Sequence, residues 1–369
     1  MTGEFTYRRR SPTPVDLMYV ASGTTAGLRQ ADDELLAALQ GLGVDVVAVT
    51  PSLDPPRAIK RHVARSLATI DAYEAFALRR ATARALRSHR PRAIIYSTTH
   101  AAMLQPRASS QRRVAIRFDT PAQLSRAGRR YRLEHLLERR QFRRAALLMP
   151  SALQLGPDAA RLLPTAVPVV PIPIPVEPDA DAPARNRDPV AVFYGASPVK
   201  KGLDVAVRAW SRAAPGDRRL LVTGIERESG LRHLRRHGIE EPDALEWTGL
   251  LTPQEHRALT RRAEVYLAAS RYENYGIGPL EALADGAMLV TTPSPGPFAA
   301  LRIARELDAR LVADGDSPSA LAASLDAAFA RGEDERATYR ARARERLRAF
   351  SRAETANRLC HEVLPLLLA

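Results

Sequence analysis

The sequence contains a single cysteine, Cys360, so the chain cannot form a disulfide within itself. A lone cysteine in a helical pattern is most simply a small apolar residue on a helix face. The chain also has no apolar run of the roughly 18 residues that a membrane-spanning helix needs. Its basic N-terminus is not followed by an apolar segment of signal-peptide length. These absences predict a protein of a reducing compartment, and we expect it in the cytoplasm.

Aromatic residues are scarce, at 5% of the chain, although the net charge is +14. Residues 1–172 hold 27 Lys and Arg against 13 Asp and Glu, whereas the remainder holds 28 of each. Because few aromatic side chains are present to stack on bases and no binding motif is found, we do not expect a nucleic acid partner. A positive excess confined to one part of the chain instead favours an anionic partner there, such as a membrane surface at the inner membrane face. A solvated, arginine-rich face is the alternative.

Short apolar runs alternate with segments of helical periodicity, and this pattern occurs twice. It predicts an α/β protein with two Rossmann-like domains, each a parallel sheet covered by helices. We expect long helices over Ala58–His89 and Arg352–Leu368. The predicted strands are Val15–Val20, Val44–Val49, Ala93–Ser97, Val114–Phe118 and Leu147–Met149, then Val190–Tyr194, Arg219–Thr223, Leu245–Thr248, Val265–Ala268 and Met288–Thr291.

Prolines crowd the region between the two patterns, and proline both fixes φ and lacks a backbone donor. We therefore predict an N-terminal domain over residues 1–172, a stiff linker over 173–189 and a C-terminal domain over 190–349. Residues 350–369 form the closing helix. Ligands of such folds bind beyond the carboxyl ends of the strands.

The segment Ser270–Glu281 (SRYENYGIGPLE) carries the clearest chemical signal. It follows a predicted strand, and its two glycines, Gly276 and Gly278, allow a ligand to approach the backbone closely. The start of the next helix provides N–H groups for anionic or hydroxyl-rich groups. Glu273 and Glu281 flank the glycines, and each carboxylate can accept hydrogen bonds from vicinal hydroxyls. A structural glycine turn followed by a helix-capping glutamate is the simpler alternative.

This segment resembles the E-x7-E motif of retaining glycosyltransferases with the GT-B fold, in particular the family 4 group. Val190–Trp210, with its Lys201-Gly202 pair, and the closing segment Phe350–Val363 are also similar to that family. The resemblance implies two domains facing a central cleft and a C-terminal helix that crosses back to the N-terminal domain. It implies that Glu281 holds the donor ribose, that Glu273 contacts the sugar and that Lys201 binds the diphosphate. The implied donor-binding residues are Gly195, Lys200, Lys201, Gly202, Ser270, Glu273, Asn274, Tyr275, Gly276, Ile277, Gly278 and Glu281.

Two positions depart from the family pattern. Ala196 stands where members commonly carry an arginine. One cation that would contact the diphosphate is therefore missing, unless Lys200 or an arginine of the N-terminal domain replaces it. Ser294–Phe298 lacks the usual double glycine and glutamate, which is expected to reshape the donor pocket. A degenerate relative that acts as a binding or scaffold protein at an anionic surface is therefore the alternative to an active enzyme.

The acceptor side is less defined. Ala21–Gly27, with Gly23 and Gly27, resembles the family's glycine-rich loop at the cleft floor, although it is equally compatible with an ordinary strand–helix turn. Arg117 and Asp119 follow a strand at the place where relatives put a histidine near the sugar; they are either a phosphate cation and an acceptor contact or a surface ion pair. His100 is either a cleft residue or, more simply, a helix-capping or solvent-facing histidine.

The resemblance implies transfer from a nucleotide diphosphate sugar, as co-substrate, with retention of configuration and no metal ion. Glu273, Lys201 and Asp119 are the expected catalytic residues, and the acceptor is a carbohydrate, lipid-linked or small molecule. Asp179-Ala180-Asp181 has a spacing found in metal sites, but it lies in the proline-rich linker, and no cysteine–histidine cluster indicates a metal. A dehydrogenase is disfavoured because no strand is followed by G-x-G-x-x-G.

Overall fold

The computed structural model describes residues 12–63, 66–126, 128–180, 182 and 187–369. The chain divides into two compact units between Ile174 and Pro175, within the predicted linker 173–189. The first unit comprises the described residues up to Ile174 together with Thr355–Ala369, and the second comprises Pro175–Glu354.

The first unit contains a five-stranded parallel sheet with the order β2-β1-β3-β4-β5. The strands are short apolar runs that are largely buried, apart from Val46–Val49 at the edge of the sheet, as expected for a parallel sheet covered on both faces. They are β1 Thr13–Val20, β2 Val46–Val49, β3 His89–Tyr96, β4 Arg113–Phe118 and β5 Leu147–Pro150. The helices of this part are α1 Ala26–Gly41, α2 Arg57–Val63, α3 Leu67–Ser88, α4 Thr99–Met103, α5 Ala122–Ser125, α6 Arg132–Arg144 and α7 Pro157–Leu162.

The second unit repeats this architecture with the order β10-β9-β6-β7-β8, again parallel. Its strands are β6 Asp188–Tyr194, β7 Arg219–Thr223, β8 Leu245–Gly249, β9 Ala263–Ala268 and β10 Met288–Thr291. Its helices are α8 Pro198–Lys201, α9 Leu203–Trp210, α10 Arg227–Arg236, α11 Pro253–Thr260, α12 Ile277–Asp285, α13 Ala299–Asp308, α14 Pro318–Phe329 and α15 Glu333–Leu347. The predicted α/β class with two Rossmann-like sheets is thus confirmed.

Two helical regions differ from the sequence expectation. The single helix predicted over Ala58–His89 is wrong, because α2 ends at Val63 and α3 begins anew at Leu67. Ser66 accepts a hydrogen bond from the backbone N–H of Thr69, and the Thr69 hydroxyl lies 3.1 Å from the Ser66 backbone nitrogen, which forms a reciprocal N-terminal cap. Helix α13 was not expected, since the sequence predicts no helix between the strand Met288–Thr291 and a helix that begins at Asp316.

The C-terminal helix belongs to the core of the first unit. It runs as α16 Arg352–Arg358, one π-helical turn over Leu359–Val363 and α17 Leu364–Leu368. Leu359, Val363 and Leu367 are buried in one apolar cluster with residues of β1 and β3. The predicted return of this helix to the N-terminal domain is therefore confirmed.

We expect Leu359→Ala to lower the free energy of unfolding of the first unit by about 2–5 kcal/mol, because it leaves a cavity in this cluster. Urea unfolding followed by circular dichroism measures the change. Leu133→Ala is the matched control, since Leu133 also lies on a helix of the first unit but is 69% exposed. Its effect should stay within about 0.5 kcal/mol. Equal losses in both variants would contradict the packing of the closing helix.

Candidate functional site

The strand order of the second unit reverses between β6 and β9, and this brings two loops together. In such sheets the crevice at the reversal point lies beyond the carboxyl ends of the two strands. Here the segment after β6 meets the segment after β9: the backbone N–H of Arg271 donates to the carbonyl oxygen of Lys200 at 2.9 Å. Gly202 has φ +69°, and an added Cβ would overlap the carbonyl oxygen of Ala269. Close packing therefore requires glycine at position 202.

A shared carboxylate lies at the centre of this contact. Glu273 Oε2 accepts from the Lys201 ammonium at 2.6 Å and from the Ser270 hydroxyl at 3.0 Å. The Glu273 side chain is 8% exposed and that of Lys201 is 22% exposed. Charge-assisted hydrogen bonds of this length are among the stronger polar contacts. The structure thus joins three of the predicted donor-site residues in one cluster.

Glycines permit the tight turn that starts α12. Gly276 adopts φ +83° as the N-terminal cap residue, and an added Cβ would come within 2.6 Å of the Phe298 ring. A Cβ at Gly278 would lie 2.8 Å from the Tyr266 hydroxyl. Any residue larger than glycine at these two positions would collide with Phe298 or Tyr266. Because the cap residue is glycine, the N-terminus of α12 at Ile277 has no side-chain cap hydrogen bond, and the positive end of the helix dipole is not satisfied by a capping side chain.

The unusual segment Ser294–Phe298 supports the same carboxylate. The backbone N–H of Glu273 donates to the carbonyl oxygen of Pro295 at 3.1 Å, and the N–H of Ala299 donates to that of Tyr275 at 3.2 Å. Gly296, at φ +104°, packs so closely that an added Cβ would overlap the Glu273 carbonyl. This segment therefore fixes the backbone on both sides of Asn274.

The second glutamate is placed slightly differently from the expectation. The sequence predicts a helix that begins at Pro279, with Glu281 in its first turn. In the structure α12 begins at Ile277, so Glu281 lies in the second turn, where it is half-buried. Burial raises the pKa of the Tyr266 hydroxyl, and the negative charges of Glu273 and Glu281 raise it further. Tyr266 is thus a neutral, buried group near both carboxylates. Its place on β9 gave no functional signal in the sequence.

The remaining predicted donor residues lie around this cluster. Gly195 is buried directly after β6, whereas Lys200 is exposed on the one-turn helix α8. Tyr275 is buried; Asn274 is half-buried, and its Oδ1 has no hydrogen-bond partner among the described residues. Ala196, which replaces the family arginine, is exposed.

The first unit has the same kind of strand reversal, between β1 and β3. The backbone N–H of Ser22, after β1, donates to the Ser97 hydroxyl, after β3, at 3.0 Å. Gly23 adopts φ +52° and its carbonyl accepts from Arg29 at 2.9 Å. A pocket opens here, lined by Ser22, Gly23, Thr24, Pro51, Ser52, Leu53, Asp54 and Glu74. The loop expected over Ala21–Gly27 is shorter, because Thr25 caps α1 and Gly27 lies within that helix.

Arg117 occupies an interior position. It is 3% exposed, donates to the carbonyl of Ala31 at 3.1 Å and lies 3.7 Å from Asp32. Asp32 also accepts from the Tyr19 hydroxyl at 2.7 Å. The alternative of a surface ion pair with Asp119 is therefore wrong: β4 carries Arg117 inward toward α1, whereas Asp119 is half-buried just beyond the strand.

His100 belongs to an ionic network that the sequence did not indicate. Its Nε2 lies 3.0 Å from Glu134 of α6 and 3.5 Å from Asp71 of α3, and Arg126 donates to Asp71 at 2.9 Å. Burial disfavours the imidazolium, but the hydrogen bonds to both carboxylates outweigh it and raise the pKa of His100 to about 9. The expectation of a solvent-facing histidine is wrong. Three helices that are distant in sequence build this network.

The Asp179-Ala180-Asp181 motif of the linker takes part in an ion pair. Asp179 accepts from Arg261 at 2.9 Å, and Asp181 lies outside the described residues.

Residues 188–330 match the family model described as glycosyl transferases group 1. The matched residues all lie in the second unit. The match extends from β6 to the end of α14 and includes both loops of the carboxylate cluster.

Solved glycosyltransferase structures share the fold of nearly the whole chain, which is GT-B. Sucrose-phosphate synthase from Thermosynechococcus elongatus is 16% identical, with a TM-score of 0.69 over 96% of this chain and 99% of that one. Trehalose 6-phosphate synthase from Burkholderia multivorans is 15% identical, with a TM-score of 0.65 over 96% and 99%. HepE from Anabaena, solved with UDP and glucose, is 12% identical, with a TM-score of 0.66 over 95% and 100%. No curated protein matches the chain by sequence.

The His100 network predicts a pH-dependent stability. A folded-state pKa of about 9, above the ordinary value of 6.5, means that the folded state holds the proton more tightly. The stabilisation is complete below pH 6.5 and is lost as the pH rises through 9, by about 3 kcal/mol. Urea unfolding at several pH values measures it. His100→Gln should flatten the curve over this range, whereas the exposed His361→Gln should not. A steep curve in His100→Gln would contradict the network.

Proposed function

We propose that the chain is a glycosyltransferase that moves a sugar from a nucleotide diphosphate sugar to an acceptor hydroxyl, with retention of configuration and without a metal ion. The observation that carries the proposal is the carboxylate of Glu273, held by Lys201 and Ser270 beside the N-terminus of α12 within a group 1 domain.

The donor half supplies the positive charge that a diphosphate leaving group requires. Lys201 is partly exposed beside the loop, and the N-terminus of α12 adds the positive end of a helix dipole. Preorganised groups of this kind stabilise charge that develops in the transition state. They perform the task that a divalent cation performs in metal-dependent transferases, which supports a metal-independent reaction.

The two glutamates take different parts in this proposal. Glu281 accepts from the ribose hydroxyls, while Glu273 contacts the sugar and keeps Lys201 oriented toward the phosphates. The leaving phosphate takes the acceptor proton, so that no protein base is needed. Retention rests on the likeness of Ser270–Glu281 to the retaining E-x7-E motif, and the anomeric configuration of the first-formed product, read by proton NMR, tests it. HepE, solved with UDP and glucose, makes UDP the first nucleotide to examine.

The first unit supplies the acceptor side. The pocket at the β1 loop presents hydroxyls of Ser22 and Thr24 and carboxylates of Asp54 and Glu74. Such groups bind hydroxyl-rich molecules, and they favour a carbohydrate acceptor, free or lipid-linked, over one that presents phosphate at this point. Asp119, beyond β4, is the proposed contact to the attacking hydroxyl.

Helix α6 supports work at an anionic membrane surface. Its acidic residues Glu134 and Glu138 are buried, whereas Leu133 and Leu136 are 69% and 64% exposed. Exposed arginines surround these leucines: Arg129, Arg130, Arg132, Arg139, Arg140, Arg143 and Arg144. Apolar side chains within a basic face are typical of helices that lie in the membrane interface. Within the described residues, no helix has the length and apolar character to cross a bilayer.

The donor site is tested by thermal unfolding with UDP, GDP, ADP, dTDP and CMP. A ligand at 100 times its dissociation constant adds about 2.7 kcal/mol, which raises Tm by several degrees. We expect one diphosphate to do so, equally with and without EDTA, and we expect Lys201→Ala and Glu281→Ala to abolish the shift. Lys60→Ala is the matched control, because this lysine is exposed in the first unit.

A shift that persists in both variants would place the nucleotide elsewhere. No shift with any nucleotide would favour the degenerate binding protein and would make Ala196 the decisive residue.

Membrane association is tested by sedimentation with vesicles. The chain should bind mixed phosphatidylglycerol and phosphatidylcholine vesicles, and salt should weaken this binding because arginines contribute about 1 kcal/mol each near such a surface. Leu133→Glu with Leu136→Glu should lower the bound fraction several-fold. Leu250→Glu is the control, since Leu250 is equally exposed, at 69%, in the second unit. Unchanged binding of the double variant would exclude α6 as the contact.

A further inference from the structure

A second cluster of ionisable side chains lies next to Arg271, two residues before Glu273 in the donor loop. It belongs to neither proposed substrate pocket. It consists of Asp204 in the first turn of α9, His233 on α10 and His237, the residue that ends α10. One ligand atom of each lies within 4.8 Å of the others. These distances fit ligands that converge on a single ion.

The helix geometry explains why the two histidines meet. Residues four apart lie on the same face of a helix, and the His233 and His237 rings are 4.4 Å apart between centroids at 41°. The carboxylate of Asp204 approaches from the neighbouring helix, with Oδ1 at 3.5 Å from His233 Nε2. Asp204 and His233 are buried, and His237 is exposed, so the cluster opens to solvent on one side.

Two further contacts orient these groups. His237 Nδ1 lies 2.9 Å from the carbonyl oxygen of His233, which can only accept, so Nδ1 carries the proton and Nε2 keeps the lone pair. Arg271 donates to Oδ2 of Asp204 at 2.6 Å and leaves Oδ1 on the histidine side. Hydrogen bonds that hold the second atom of an imidazole or carboxylate are the usual support of metal ligands.

We propose that Asp204, His233 and His237 bind a divalent transition metal of the zinc class, with solvent completing the coordination. Two imidazoles and one carboxylate form a donor set that such ions prefer. The network of Asp71, His100 and Glu134 also groups three candidate ligands, but it contains only one histidine among the described residues. The histidine pair distinguishes the Asp204 cluster.

The bound metal would act on the donor loop through Arg271. Besides Asp204, this arginine donates from Nη1 to the carbonyl of Val199 at 2.6 Å and from its backbone N–H to that of Lys200 at 2.9 Å. Fixing Asp204 therefore fixes Arg271, which directly follows Ser270. The metal therefore has a structural role, in that it stabilises the loop, and it takes no part in sugar transfer.

Titration of the full-length chain with Co²⁺ tests the site, because tetrahedral Co²⁺ with nitrogen ligands gives visible d–d absorption. We expect one equivalent to bind and Zn²⁺ to displace it. His237→Ala should weaken binding at least about tenfold. His361→Ala is the control, an exposed histidine next to Cys360 in the first unit.

Asp204→Asn provides a second variant if loss of a histidine disturbs folding, and it should also weaken Co²⁺ binding. Equal affinity of wild type and His237→Ala, or loss of binding in His361→Ala alone, would overturn the proposal. No nucleotide is present in the titration, so its failure leaves the proposed transferase function untouched, and the reverse also holds.

Discussion

The ion pair between the buried carboxylate of Glu273 and Lys201 is the interaction on which the donor half depends. A charge in this position is tolerated only when it is paired and hydrogen-bonded, and Lys201 and Ser270 satisfy both requirements. The strand reversal between β6 and β9 brings these residues together, and glycine at position 202 permits the required approach. The carbonyl of Pro295 then holds the Glu273 backbone. Backbone packing and charge pairing thus both hold the loop that carries Glu273.

Arginines pair with buried carboxylates in both units, but the first unit also carries a group of solvent-facing arginines on and beside α6. In the charge-balanced second unit, arginines pair with buried carboxylates, as Arg218 does with Glu264 and Arg257 with Asp285. In the first unit, α6 buries its glutamates and directs its arginines and leucines to solvent. The excess charge of residues 1–172 is consequently displayed on a surface. This arrangement favours attraction to an anionic partner over internal stabilisation.

The sequence predicted the strands and the glycine turn before α12 because both depend on local signals, namely short apolar runs and a glycine pair that precedes a helix. It failed where distant segments meet. Asp71, His100 and Glu134 come from three helices, and the inward direction of Arg117 follows from the alternation of side chains along β4. The break at Ser66 was missed because arginine-rich periodicity continues across it. The pair His233 and His237 had helical spacing, but Asp204, which completes the cluster, is 29 residues away.

Hydrogen exchange of the chain with and without the stabilising nucleoside diphosphate tests the central claim most directly. The account predicts that exchange slows in peptides covering Gly195–Gly202 and Ser270–Glu281, since the ligand contacts the amides of these two segments. Peptides of the sheet core should not change. Slowing confined to other segments, with these two unaffected, would contradict the assignment of the donor site to the loop around Glu273.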